Sequence, residues 1–320
     1  MSGEKAVKKK MSLVLLLTLV LLCQSILLVS AKETQDEQLW RIDTPNESHL
    51  PRNFRTTNDP VKTSSDMLPS TVGLAQLHES GSAQFSRLEF EEMLPKFKKL
   101  SNGRIYIVDL RQESHGLING IGVSWVGHHN WSNVGKTLAQ VEADENVRIK
   151  DTLNKTITIS VLDDNKKVSD SQEITVDNAL TESEFVTSNR VKYFRIPATD
   201  HRWPSEENID RFVTFYKGLP KDAWLHFHCQ AGEGRTTAYM IIYDMMRNGK
   251  NVSFDDIIQR QILLGGQNIL KTEATKEKDV WKNELFVEKV KFVKKFYEYA
   301  TQNSDNFSVT WSEWLKQHKD

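Results

Sequence analysis

His226-Phe227-His228-Cys229-Gln230-Ala231-Gly232-Glu233-Gly234-Arg235-Thr236-Thr237-Ala238-Tyr239-Met240 reads as the end of a strand, a tight loop and the opening of a helix. Trp224, Leu225 and Phe227 supply the apolar strand, and Tyr239-Met240-Ile241-Ile242 the apolar helix beyond. A loop that opens straight into a helix turns backbone N–H groups inward and adds the positive end of the helix dipole. The glycines at 232 and 234 stand where the backbone must curl or approach a bound group. The pattern predicts a cradle for a tetrahedral dianion. Cys229 sits at its floor, where N–H donors, the helix N-terminus and Arg235 favour thiolate over thiol. Arg235 follows at Cys-x5-Arg spacing, and its planar fork can hold two phosphoryl oxygens at once. Thr236 is near enough in sequence to offer its hydroxyl to the sulfur.

Outward from the loop, the apolar runs at 105–110 (IYIVDL) and 191–196 (VKYFRI) fit buried, parallel strands. The first ends in Asp109, Arg111 and Glu113, polar groups placed where open α/β sheets bind ligands. The second leads into Pro197-Ala198-Thr199-Asp200-His201-Arg202-Trp203-Pro204, a loop, and Ser205 then caps a helix. Further helices are expected from Ser86, from 136 to 152, from Ser253, and from about 277 to 299. The runs at 120–126, 156–162 and 172–176 are short, β-like and bounded by turns, which predicts a small β-rich subdomain. Residues 32–49 read as polar and loosely extended, 50–56 as a surface strand, and 57–83 as loop with short turns.

The first residues carry a basic Lys8-Lys9-Lys10 segment, an apolar run over 13–29 and small residues at Val29-Ser30-Ala31. That is the pattern of an export signal cleaved after Ala31. A membrane anchor is the alternative, since the run is nearly long enough to span; the small-residue exit favours cleavage. The formal charge then moves from −1 for the 320-residue chain to −4, and Cys229 becomes the only cysteine. A single thiol in an exported chain points to a reactive group.

The string His228-Cys229-x5-Arg235-Thr236 resembles the signature loop of cysteine-dependent protein-tyrosine phosphatases. The resemblance narrows at Ala198-Thr199-Asp200-His201-x-Trp203-Pro204 with Glu207-Asn208-Ile209-Asp210-Arg211-Phe212. These, with residues 108–116, 50–56 and Trp311-Ser312-x-Trp314-Leu315-Lys316, are similar to the protein-tyrosine-phosphatase-like phytases, bacterial cysteine phytases that dephosphorylate inositol hexakisphosphate stepwise. The resemblance implies an α/β phosphatase core, a mostly parallel sheet flanked by helices, with a small inserted β-barrel domain. The expected division is 1–31 signal, 32–115 and 190–320 phosphatase core, and 116–189 insertion.

The leaving alcohol needs a proton donor, and Asp200 in its loop is the candidate. Such help contributes about 10²–10⁴-fold. The implied catalytic set is Cys229 as nucleophile, Arg235 as phosphate holder and Asp200 as acid and base, with Thr236 and His228 beside them. Gln230, Ala231, Gly232, Glu233 and Gly234 form the phosphate-binding loop. A polyphosphorylated substrate calls for cations at the mouth, and carry-over from the family selects Arg55, Lys166, His201, Lys282 and Lys289. Lys282 and Lys289 share one helix face. Two departures stand out. Asn130 replaces an acid that many members carry before the tryptophan, and Glu233 puts a negative charge inside the loop, pointing outward or tuning the cysteine.

The implied ligand is a polyanionic small molecule, an inositol polyphosphate, with no cofactor and no metal. The nine histidines are scattered, with only His128-His129 adjacent. Nucleic acid is disfavoured by the net acidity and the lack of a basic patch interleaved with aromatics; no membrane is expected after cleavage. The competing readings are a phosphotyrosine or phosphoinositide phosphatase with the same chemistry, an effector included, and a non-catalytic phosphate-binding module.

Overall fold

The computed structural model describes residues 38–319 apart from 62–67, 102 and 304, so the expected export signal lies outside the described residues. Eleven strands follow in chain order: β1 Leu39–Thr44, β2 Arg55–Thr56, β3 Glu79–Ser82, β4 Ile105–Asp109, β5 His115–Ile118, β6 Ile121–Val126, β7 Thr156–Leu162, β8 Val168–Thr175, β9 Ala179–Thr181, β10 Lys192–Arg195 and β11 Trp224–His228. They form two sheets. The first has the order β10-β4-β11-β3-β2, parallel except for the short edge strand β2. The second has the order β8-β7-β1-β6-β5-β9.

In the first sheet, side chains alternate between two cores. Val108, Leu110, Leu225 and Phe227 join the cluster that includes the helices Glu206–Lys217, Gly234–Asn248, Phe254–Leu263, Asn283–Gln302 and Trp311–Gln317. Ile107 and Trp224 join the cluster with Phe90, Met93 and Phe97 of the helix Arg87–Leu100 and Phe185 and Val186 of Glu182–Ser188. A mostly parallel sheet covered on both faces is the α/β arrangement expected from the continuous apolar runs. The helix starts are local: Ser86, Thr137, Thr181 and Thr310 each close a capping box, and Ser205 and Ser253 cap with their hydroxyls.

Three strand expectations need correcting. Residues 39–44 were expected to be loosely extended, but β1 lies inside the second sheet, antiparallel to β6 and parallel to β7. Residues 79–82, expected in a loop, form β3 beside β11. This Glu-Ser-Gly-Ser strand is wholly buried, held by polar contacts: Ser80 Oγ bonds His226 Nδ1 at 2.9 Å and accepts from Trp224 Nε1 at 2.9 Å. Residues 50–56 yield only β2, and both its residues are buried. The second sheet gathers most of the expected β-rich region, but its pairing is open, running from β8 to β9, and it draws in β1 from outside the expected 116–189 insertion. No helix among the described residues is long and apolar enough to cross a membrane.

The carboxyl ends of the parallel strands place the site. From β4 the chain runs to Glu113, from β10 to Asp200 and from β11 to Cys229. This is the end of an open α/β sheet at which ligands bind.

Candidate active site

The loop after β11 is held from behind. The carbonyl of Gln230 accepts from the Gln84 N–H at 3.2 Å, that of Ala231 from Asn53 Nδ2 at 2.8 Å, and that of Gly232 from Arg55 Nη1 at 2.9 Å. The C=O and N–H of a trans peptide point in opposite directions, and no peptide here is cis. The N–H groups of Ala231, Gly232 and Glu233 therefore face away from those partners, toward the inside of the loop. Gly232 has φ +73, and a Cβ there would lie 2.4 Å from both Ala83 N and Ser82 C. Gly81 of β3 lets the next helix close in, because a Cβ there would meet Met240 Sδ and Thr236 Cγ2 at 2.7 Å.

The helix Gly234–Asn248 has no side-chain cap on its N-terminus; its N-cap residue, Glu233, makes none. Its first N–H groups thus remain for an anion. Glu233 is exposed, which agrees with the outward-pointing alternative. Cys229 is buried, 3 % exposed, and unpaired. Thr236 Oγ1 donates to its Sγ at 3.2 Å, as the sequence spacing suggested.

Arg235 is fixed by a residue to which the sequence reading gave no role. Its Nη1 and Nη2 donate to the two carboxylate oxygens of Glu113 at 2.8 and 3.0 Å. Glu113 is fully buried and also takes Arg111 Nε at 2.9 Å. Burial would raise the Glu113 pKa, but Arg235 and Arg111 hold it well below the usual range. A guanidinium has five N–H donors, so the end-on clamp leaves the Nε edge for a phosphoryl group. Nε is buried without a hydrogen-bond partner among the described residues, 3.3 Å from Asp200 Oδ1.

Asp200 is gripped from several sides. Asn130 Nδ2 donates to Oδ2 at 2.7 Å, the His201 N–H donates to Oδ1 at 3.0 Å, and Trp131 Nε1 donates to the Asp200 carbonyl at 3.1 Å. Burial pushes its carboxyl upward, but Arg235 foremost, with His201 where it is protonated and the Asn130 bond, outweighs that and leaves it below the ordinary value. His201 itself is pushed down to about 4, chiefly by burial, with Lys282, Arg235 and Lys289 adding to the effect. It is thus neutral near pH 7, which corrects its expected place among the mouth cations.

His228 is buried behind the loop, with Nε2 2.7 Å from Glu182 Oε1. Asp109, His115 and Glu182 converge closely enough to hold an ion, a grouping that the scattered histidines of the sequence did not suggest. The positive charge is already supplied there by Arg195, 3.1 Å from Asp109, and by His115 itself. Burial would lower His115, but Asp109 and Glu145 raise it to about 10.

The other expected cations divide. Arg55 does not face the mouth: it is 3 % exposed and bonds Asn53 O, Gly232 O and Thr237 Oγ1. It braces the loop rather than meeting a ligand. Lys289 is 5 % exposed with no ion pair among the described residues, and its Nζ lies 5.5 Å from the Phe286 ring centre. Burial lowers its pKa, while Asp200 pulls it back up. Lys282 is 2.7 Å from Asp279 and 5.4 Å from the Trp281 ring centre. Lys166 stands at φ +64 in the turn between β7 and β8. That turn is tied down by Lys278 Nζ, which donates to Asp164 O at 2.7 Å and Asn165 Oδ1 at 3.1 Å. Burial, then the Arg41 charge, lowers Lys166, and Asp200 and Lys282 act on it too. Lys166 and Lys289 thus lie within electrostatic reach of Asp200, and Lys282 within reach of both. Sequence reasoning gave no specific role to Glu113, Asn53, Trp131 or Arg41, although Glu113 was placed at the ligand-binding end of a strand and Asn53 fell within the 50–56 run.

A buried thiol on a loop shaped to cradle an anion, an arginine held by a buried carboxylate and an aspartate beside that arginine make up the kind of site that cysteine-dependent phosphatases use. The comparisons with known proteins agree. The sequence model of the protein-tyrosine-phosphatase-like phytases, described by inositol hexakisphosphate, matches residues 108–247. The chain belongs to this family. It is similar to the tandemly repeated phytase of Mitsuokella multacida, 43% identical with TM-score 0.85 over 89% of this chain and 50% of that one. The same scores relate it to the Mitsuokella phosphatase in complex with myo-inositol-(1,3,4,5)-tetrakisphosphate. A phytase of this type from Bdellovibrio bacteriovorus is 32% identical with TM-score 0.69, over 88% of this chain and 96% of that one. The effector protein hopD2 of Pseudomonas syringae pv. tomato is 31% identical over 295 residues. The chain spans half the length of the Mitsuokella structures and 61% of hopD2.

Proposed function

We propose that this phosphatase hydrolyses phosphomonoesters of inositol polyphosphates, inositol hexakisphosphate among them, stepwise through a cysteinyl-phosphate. The observation that carries the substrate class is Lys289, a nearly buried lysine without an ion pair among the described residues, grouped with Lys282 and Lys166 around Asp200. Asp200 acts on Lys289 only beyond ion-pair distance, and a nearly buried ammonium without a direct ion pair is stabilised by a polyanion. The Mitsuokella relative bound to an inositol tetrakisphosphate supports the same class.

In the first step the Cys229 thiolate attacks phosphorus while Arg235 and the loop N–H groups hold the non-bridging oxygens. Asp200 protonates the departing inositol oxygen, because an alkoxide leaves poorly. In the second step Asp200, now ionised, takes a proton from water as that water attacks the phosphocysteine. Thr236 donates to the returning sulfur. We further propose export after cleavage at Ala31; N-terminal sequencing of the processed chain should begin at Lys32.

A second reading is a phosphotyrosine or phosphoinositide phosphatase with the same chemistry acting as an effector, a role for which the relationship to the effector hopD2 speaks. Comparison of kcat/KM for inositol hexakisphosphate and a phosphotyrosine peptide separates the two. Preference for the inositol polyphosphate, lost largely in Lys289→Ala, is expected. Preference for the peptide, with Lys289→Ala indifferent, would sink the inositol reading.

A further inference from the structure

Asn130, noted in the sequence only as a departure from the family pattern, touches the acid. It closes the strand-to-loop passage after β6, at φ +63. Its carboxamide orientation is fixed chemically. Arg41 Nη1, 3.1 Å away, can only donate, so the atom it meets is the amide oxygen. The amide nitrogen therefore faces Asp200 and donates to Oδ2 at 2.7 Å. Arg41 is itself anchored by Asp43 Oδ1 at 2.7 Å and Ser124 Oγ at 3.0 Å. Asp43 Oδ2 continues to Arg111 at 2.7 Å, Arg111 to Glu113 at 2.9 Å, Glu113 to Arg235, and Arg235 Nε back to Asp200 Oδ1 at 3.3 Å. The circuit is closed and runs from β1 of the second sheet to the segments that follow β4, β10 and β11 of the first. It joins the proton donor to the phosphate-holding arginine.

We propose that Asn130 is a positioning residue that fixes which oxygen of Asp200 delivers the proton. The carboxamide N–H holds Oδ2 and the His201 N–H meets Oδ1, so the carboxyl is kept turned with Oδ1 beside Arg235, and the proton is delivered from that oxygen, next to the bound phosphoryl group. This rests on the reading of Asp200 as the acid. The charged and titratable groups acting on Asp200 are Arg235, His201 and Glu113, with Lys166 and Lys289 beyond them. The Asn130 bond adds to those that hold its carboxyl below the ordinary value.

The test uses kcat/KM as a function of pH for two substrates, glycerol 2-phosphate and 4-nitrophenyl phosphate. The first expels an alkoxide and needs the proton; the second expels a phenolate and needs it far less. In Asn130→Ala the alkyl-to-aryl ratio of kcat/KM should fall by about tenfold, a part of the full general-acid contribution. In Asn130→Asp, which keeps the side-chain shape and the Arg41 contact, the falling limb of the alkyl profile should move up by about one pH unit. Loss of equal factors on both substrates with an unmoved limb would mean that Asn130 only supports the fold, and would overturn the proposal. Asp200→Asn is run alongside. If it spares the alkyl substrate, the acid assignment itself falls; if it removes alkyl turnover selectively while the Asn130 variants show no selectivity, only the present inference falls.

Discussion

Glu113 shows most clearly what a single side chain does here. It is fully buried between Arg111 and Arg235, and its charge is what lets two guanidinium groups sit side by side out of water. Removing one partner of a buried pair leaves an uncompensated charge, which costs about 3–5 kcal/mol. Glu113→Ala should therefore lose stability on that scale in urea unfolding, and a loss below about 1 kcal/mol would contradict the placement. At this scale the sequence was most legible where chemistry depends on short spacing. Cys229 in the loop and Arg235 and Thr236 in the first turn of the helix after it are close in sequence, so their meeting follows from chain connectivity. Asn130 and Asp200 meet across 70 residues, and nothing local to either announces it. Arg55 was expected among the cations of the mouth, but a sequence does not say whether a donor meets a ligand or the back of a peptide. The Gly232 carbonyl decides it.

Among the elements, the loop from Cys229 to Glu233 has its shape imposed by β3 and its neighbours. Gly232 combines a left-handed backbone with contact against Ser82 and Ala83. Gly232→Ala should destabilise the loop and reduce kcat by at least about tenfold, since misplaced N–H donors lose transition-state stabilisation. Wild-type kcat in that variant would show that the backbone turn is not needed. Apolar runs identified β4, β10 and β11 because parallel strands covered on both faces must be apolar. The same rule hid β3, whose serines are satisfied by His226 and Trp224, and β1, whose Arg41 and Asp43 are buried in an ionic network. Buried polar strands of this kind are stabilised by partners distant in sequence, so periodicity does not find them.

For the whole molecule, a formal charge of −1 coexists with a cationic mouth built from parts far apart in the chain. Lys166 comes from the β7–β8 turn of the second sheet, while Lys282 and Lys289 come from either side of Asn283. Electrostatic focusing by such a cluster weakens as salt shortens its range, to about 8 Å at physiological ionic strength. The kcat/KM for inositol hexakisphosphate should fall with added salt, and more steeply than that for a monophosphate. Equal salt slopes would mean that the lysines do not meet the substrate's outer phosphates. The α/β core and its mostly parallel sheet followed from the strand–loop–helix order, whereas the union of β1 with a distant β-rich region depends on contacts that no local window contains.

The central claim is that the Cys229 sulfur takes the phosphoryl group. Acid quenching during turnover of radiolabelled phosphomonoester tests it directly, using the wild-type chain and Asp200→Ala, in which water activation is slowed. Label bound covalently to the peptide containing Cys229, and absent from Cys229→Ser along with turnover, is the predicted result. Phosphate release that continues in Cys229→Ser, with no label on the wild-type sulfur, would contradict it.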